Sequence, residues 1–162
     1  MNIRKIILII SVLLIFIIVG TSVKEREDLL NTGEIFLFRL APVDPRSLIQ
    51  GDFMSLRYQL TNDINAESIP SRGYIVFQAD SFNVANIVRF QKEPEPLSEN
   101  ERIIKYYTHK RHISIGAESY FFQEGDAEIY ERARFAGIKV AKNGESILFG
   151  LFDENYKKIE KN

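Results

Sequence analysis

Residues Asp44–Tyr58 read DPRSLIQGDFMSLRY, and the division of the whole chain follows from this stretch. Pro45 restricts Asp44 to an extended or turn geometry, because the proline ring crowds the residue before it. Gly51-Asp52 supplies a second turn. Glycine adopts backbone conformations that other residues resist, and an Asp carboxylate accepts hydrogen bonds from nearby amides. Beyond that turn Met54, Leu56, Tyr58 and Leu60 fall on one face of a strand, and Phe53, Ser55, Arg57 and Gln59 on the other. Leu56 and Tyr58 are therefore core residues. Asp44, Arg46 and Asp52 form either a structural turn network or the base of a ligand or partner site.

Upstream of this stretch Arg4 and Lys5 precede an apolar run, and no residue from Ile6 to Val23 is charged. As a helix this run spans roughly 27 Å, close to a hydrocarbon core of about 30 Å. It is apolar on every face, which argues against a helix buried in a soluble core. Gly20 and Ser22 only partly match a small-residue cleavage site, and Lys24–Leu30 continues as good helix former. An uncleaved signal anchor over residues 1–30 is favoured over a cleaved signal peptide. Arg4, Lys5 and the amino terminus then stay cytoplasmic by the positive-inside rule. The remainder is extracytoplasmic, on a single-pass protein of the cell membrane that meets the bilayer through residues 6–23.

Asn31-Thr32-Gly33 ends the anchor helix. Glu34–Leu40 (EIFLFRL) is a strand with both faces largely apolar. Gly73–Ala79 and Val84–Gln91 flank Asp80-Ser81-Phe82-Asn83 as a hairpin. Glu93–Asn100 (EPEPLSEN) is a loop. Arg102–Ile115 reads as one long strand interrupted by charge, Glu118–Gln123 as another, and Asp126–Arg134 as a short helix with Asp at its start. Phe135–Ala141 and Glu145–Phe152 are strands about Lys142-Asn143-Gly144, the strongest short hairpin signal. The expected fold is thus mainly β, an antiparallel sandwich or partly open barrel with one short helix, behind an N-terminal transmembrane helix. Residues 33–155 form the β-rich domain and residues 156–162 a charged tail, and the chain frays from Asp153 onward.

Composition narrows the function. The formal net charge is -1, so there is no bulk basic field for nucleic acid. The absence of Cys removes disulfides, thiol nucleophiles, thiolate zinc and iron–sulfur clusters. No phosphate-binding Gly-rich loop is present, and no cofactor or metal is implied. His109 and His112 lie three apart on what reads as one strand, where they point to opposite sides. With Lys105, Lys110 and Arg111 they form a basic cluster that is either solvated or touches anionic headgroups or an acidic partner.

Gly51-Asp52-Phe53-Met54-Ser55-Leu56-Arg57-Tyr58 resembles the signature G-D-Y-x-x-L-x-Y, with Phe for the first Tyr. Pro42–Arg46 and Glu118–Gly125 (ESYFFQEG) are similar to blocks of the same GDYxxLxY family of bacterial membrane-anchored proteins. The resemblance covers nearly the whole chain. It implies a membrane anchor and a multi-span membrane partner, and it implies no activity. The motif residues it carries here are Asp44, Pro45, Arg46, Gly51, Asp52, Leu56, Arg57 and Tyr58.

A looser resemblance connects the chain to signal peptidase I, an anchored Ser/Lys protease. Its block S-M-x-P-T-L-x-x-G-D places Gly51-Asp52 on G-D, but it puts Val43, which has no hydroxyl, at the nucleophile. Tyr120–Gly137 is similar to a further block of that family. Ser47 and Lys110 are the alternative catalytic pair, since a Ser–Lys mechanism needs both groups within hydrogen-bond reach. The leading expectation is a non-enzymatic, membrane-anchored domain that binds or regulates an integral-membrane partner. The alternatives are a diverged Ser/Lys peptidase and an envelope ligand-binding domain.

Overall fold

The computed structural model describes residues 3–41, 53–62, 64, 66–109, 112–123 and 125–161. Helix α1 (Ile3–Thr32) is continuous and is long and apolar enough to cross a membrane. Nine strands follow among the described residues: β1 (Glu34–Arg39), β2 (Phe53–Ser55), β3 (Arg72–Ala79), β4 (Ala85–Gln91), β5 (Glu101–His109), β6 (His112–Ser114), β7 (Ser119–Phe121), β8 (Phe135–Val140) and β9 (Ser146–Phe152). They build three antiparallel sheets, ordered β1-β8-β9, β2-β7 and β4-β3-β5-β6. The fold is mainly β, a curled half-barrel behind an apolar helix, as the strand pattern predicts.

Strand β1 joins the two larger sheets because both of its faces are apolar. Phe36 and Phe38 face the main core, where their rings meet Phe77 edge-on at 5.0 and 5.4 Å. Leu37 faces the other way, onto Val84 and Phe135. Its amide donates to Asn83 O at 2.8 Å, which pins β1 to the β3–β4 turn. That turn is held by the Asp80 carboxylate, which accepts from the amides of Phe82 and Val84 at 2.8 and 2.9 Å. The β8–β9 hairpin closes around Gly144, whose φ of +82° is the left-handed geometry that the Asn-Gly pair announces.

Several expectations are corrected. Arg102–Ile115 is not one strand: β5 and β6 are antiparallel neighbours, with His109 directly opposite His112. The two His therefore share a face, because alternation along a strand does not carry across a chain reversal. The strand after the motif stops early. Tyr58 O accepts both the amide and the hydroxyl of Thr61, at 3.1 and 2.9 Å, and the chain enters a single helical turn, α2 (Gln59–Asn62). The expected short helix is α3 (Ala127–Tyr130), but Asp126 makes no side-chain cap bond there. Its carboxylate instead pairs with Lys161 at 2.9 Å.

The C-terminal tail does not fray. Asp153 accepts from the amides of Asn155 and Lys157 at 2.8 and 3.0 Å, which turns the chain back. Tyr156 then stacks on Phe82 at 4.8 Å and lies against Phe135 at 5.1 Å, covering the outer face of β1. Ile159 enters the main core, and its amide donates to Leu151 O at 2.8 Å.

The polar end of α1 is docked on β8 and β9. Leu29 is buried, and the Lys139 amine donates to Leu30 O. Gly33 follows because a Cβ there would sit 2.6 Å from Leu29 O and 3.1 Å from the Lys139 Cβ. Burying one Leu contributes about 1.5–3 kcal/mol. The exposed Arg26–Glu145 pair, at 4.0 Å, contributes at most about 1 kcal/mol. Apolar packing therefore holds the helix to the domain, and the ion pair only orients it.

One ion pair inside the domain is acid-sensitive. Arg89 grips the buried Glu101 with both nitrogens, at 2.5 and 2.9 Å, and donates to Pro96 O at 2.9 Å, closing the 93–100 loop. The Arg89 guanidinium, helped by the Ser98 amide, holds the Glu101 carboxyl below its ordinary value. Its stabilising effect is complete above the unfolded carboxyl pKa of about 4.3 and is lost as pH falls through the lower folded value. The melting temperature of the wild type, followed by circular dichroism, should therefore approach that of Glu101→Gln as pH drops from 6 to 3. A constant offset between the two curves would refute this account.

Candidate functional site: a braced motif and a basic cleft

The two sequence blocks that carry the family resemblance form a single structural unit. Strand β2 of the first pairs with β7 of the second, with Met54 opposite Tyr120 and Ser55 opposite Ser119. The pairing continues past the strands, where the Leu56 amide donates to Glu118 O at 2.7 Å. The Glu118 carboxylate in turn accepts from the Ile115 amide at 2.5 Å, so one residue ties three segments together.

Tyr58 completes the brace. Its ring is 2% exposed and meets Phe38 edge-on at 6.2 Å. Its hydroxyl donates to Ala117 O. Burial, with a smaller push from the Glu118 carboxylate, holds the phenol pKa well above its ordinary value. The hydroxyl is therefore a permanent donor at neutral pH. Met54 and Leu56 are buried beside it, whereas Arg57 is exposed. The alternation predicted for this segment holds through Tyr58. Leu56 and Tyr58 are structural, and Ser55 and Arg57 are the motif side chains presented to solvent among the described residues.

The turn residues Asp44, Pro45, Arg46, Gly51 and Asp52 lie outside the described residues, and so do Ser47 and Lys110 of the alternative peptidase pair. His109 and His112 are both exposed. Among the described residues no three His, Asp or Glu side chains gather as metal ligands.

A feature that no single stretch of sequence announces lies on the other side of Ile115. A cleft of about 650 Å³ opens between α1 and the β3–β5 sheet. Four cationic residues line it, Arg26, Arg72, Lys92 and Lys105, against two carboxylates, Glu93 and Glu145. Glu145 is already engaged by Lys105 at 2.5 Å and by Arg26 at 4.0 Å. Tyr74, Tyr106 and Tyr107 supply the aromatic wall. Tyr106 is fixed by donating to Pro70 O at 3.1 Å, and burial raises its pKa. Tyr74 packs over Gly144, where a Cβ would come within 3.2 Å of its ring. Sequence reading groups Lys105 with the histidines near it in the chain. The register instead places it with Tyr74, and the Lys105 amide donates to Gly144 O at 2.9 Å.

Fold and brace together define a small antiparallel β domain carried on one membrane-anchoring helix. The model of the GDYXXLXY protein family matches residues 15–151, and the chain belongs to that family. The match takes in the second half of the apolar run, the braced motif and both cleft walls. Neither the curated proteins nor the solved structures contain a match to this chain.

If Tyr58 is a brace, removing its hydroxyl strips Ala117 O of its buried donor. Tyr58→Phe should then lower the unfolding free energy by about 1–3 kcal/mol. Urea titration of the full chain in neutral detergent measures this, and unchanged stability would remove the hydroxyl from the structural account.

Proposed function

We propose that this protein is a single-pass, N-in membrane protein whose extracytoplasmic β domain binds or regulates an integral-membrane partner without chemistry of its own. The supporting observation is the way α1 is used. Its apolar span is 0% buried within the protein, yet its polar end is packed against β8 and β9. A partner that grips the span therefore acts on the domain through a continuous helix. The hydroxyls in the span suit a lipid or helix neighbour. Ser11 donates to Ile7 O and Thr21 to Ile18 O, both at 2.9 Å, so neither needs water. The resemblance to membrane-associated relatives points to a multi-span protein as the partner. Orientation follows from Arg4 and Lys5 at the short N-terminal end, while Arg26 is engaged by the folded domain through Ser146 O at 3.2 Å.

Extraction of native membranes in mild detergent should recover a multi-span protein at fixed stoichiometry. Replacing residues 6–20 with a Leu/Ala helix should abolish recovery while the domain still melts at its usual temperature. Isolation of the wild type alone, as a clean monomer, counts decisively against the partner. Orientation has its own readout, because the chain contains no Cys. A membrane-impermeant maleimide on intact cells or spheroplasts should label Lys157→Cys and spare Asn2→Cys, and the reverse pattern overturns the N-in assignment.

A further inference from the structure

The cleft lies where the apolar part of α1 ends. Val23 is the last uncharged residue of the run, and Arg26 is three residues further on. At 1.5 Å per residue that is about 4.5 Å beyond the hydrocarbon boundary. The headgroup layer is roughly 5–8 Å thick on each side. The β8–β9 turn reaches the same level, since Ala141, Asn143 and Glu145 face Ser22, Glu25 and Arg26 across a shallow groove.

Strand β5 descends toward this level. Arg102 near its start pairs at 3.2 Å with Glu34, just past the docked end of α1, whereas Lys105 shares Glu145 with Arg26. Tyr107, 47% exposed, follows beyond Lys105. Tyrosines at a membrane surface keep their rings against apolar matter and their hydroxyls in the polar layer.

The charges in the cleft are not balanced internally. Glu145 is occupied, Glu93 offsets one charge, and Arg72 and Lys92 are exposed and have no ion-pair partner among the described residues. A concave site with unpaired cations and an aromatic wall, held at headgroup depth, matches a phosphodiester on an acyl anchor. Guanidinium and ammonium groups complement its charge, and the tyrosines flank its glycerol.

We propose that the cleft between Arg26 of α1 and strands β3–β5 binds the phosphate headgroup of an anionic membrane lipid, with Arg72 and Lys92 as its principal cations. This site requires neither the integral-membrane partner nor a particular orientation, so it stands or falls separately from the proposed function.

Native mass spectrometry of the full chain in neutral detergent tests it directly. Titration with phosphatidylglycerol should retain one lipid per chain, at least tenfold more strongly than phosphatidylcholine. At an energy near 1 kcal/mol for each basic side chain, Arg72→Gln with Lys92→Gln should weaken retention by about thirtyfold, and Lys92→Gln alone by about fivefold. The charge-matched control Arg132→Gln with Lys157→Gln should leave it unchanged. Equal retention of the two lipids, or wild-type retention by the cleft variants, overturns the proposal. Displacement of phosphatidylglycerol by equimolar inorganic phosphate would mark a soluble-anion site and overturn the lipid assignment. Because Arg72 and Lys92 are exposed and have no ion-pair partner among the described residues, the variants should melt with the wild type, and the single variant keeps the test valid if the double one does not fold.

Discussion

A strand whose two faces are both apolar has to be covered twice, and β1 imposes that requirement on everything around it. Its Phe36–Phe38 face draws in Phe77 of β3 and with it the four-stranded sheet. Its Leu37 face draws in Val84, Phe135 and the returning C-terminal segment with Tyr156. Truncating a buried Phe costs about 3–5 kcal/mol, so neither face is left to water. The curl of the half-barrel follows from one strand shared between two packing problems. The three strands β1, β8 and β9 close one side of it, and the Leu37–Val84 bridge makes the corner.

The motif strand solves a different problem. With only three residues in β2, paired to three in β7, the ladder is too short to hold itself. Side chains extend it: the Tyr58 hydroxyl onto Ala117 O, the Glu118 carboxylate onto the Ile115 amide, and Tyr120 and Phe122 against Tyr130 of α3. Ile115 O then accepts from Ser146 Oγ at 3.0 Å, which carries the brace to the β8–β9 hairpin and to the rear of the cleft. The Leu-x-Tyr spacing is therefore a packing demand.

Local patterns made much of this legible in the sequence. An all-round apolar run gives a helix, Asn-Gly between alternating segments gives β8–β9, and Asp80 with Asn83 gives β3–β4. The two-faced β1 is also visible in EIFLFR. What escaped depends on distant partners. Phe152–Lys161 (FDENYKKIEK) contains too few apolar residues to announce itself, yet Tyr156 and Ile159 are each caught by residues far away in sequence. The sequence between His109 and His112 carries no Gly, Pro, Asn or Asp, so the pattern reads as one strand. The cleft was invisible because Arg26, Arg72, Lys92 and Lys105 come from four segments, each unremarkable alone. The motif's alternation was legible too, and with it the burial of Leu56 and Tyr58.

The close contact at Gly33 has a mechanical meaning. With no Cβ between the end of α1 and Lys139 of β8, and no linker between span and sheet, the helix passes directly into the domain. A tethered domain would drift over the bilayer and lose all memory of how its anchor sits. Joined in this way, a twist of the anchor about its own axis would turn the domain with it, and a tilt would raise one edge of the sheet while lowering the other.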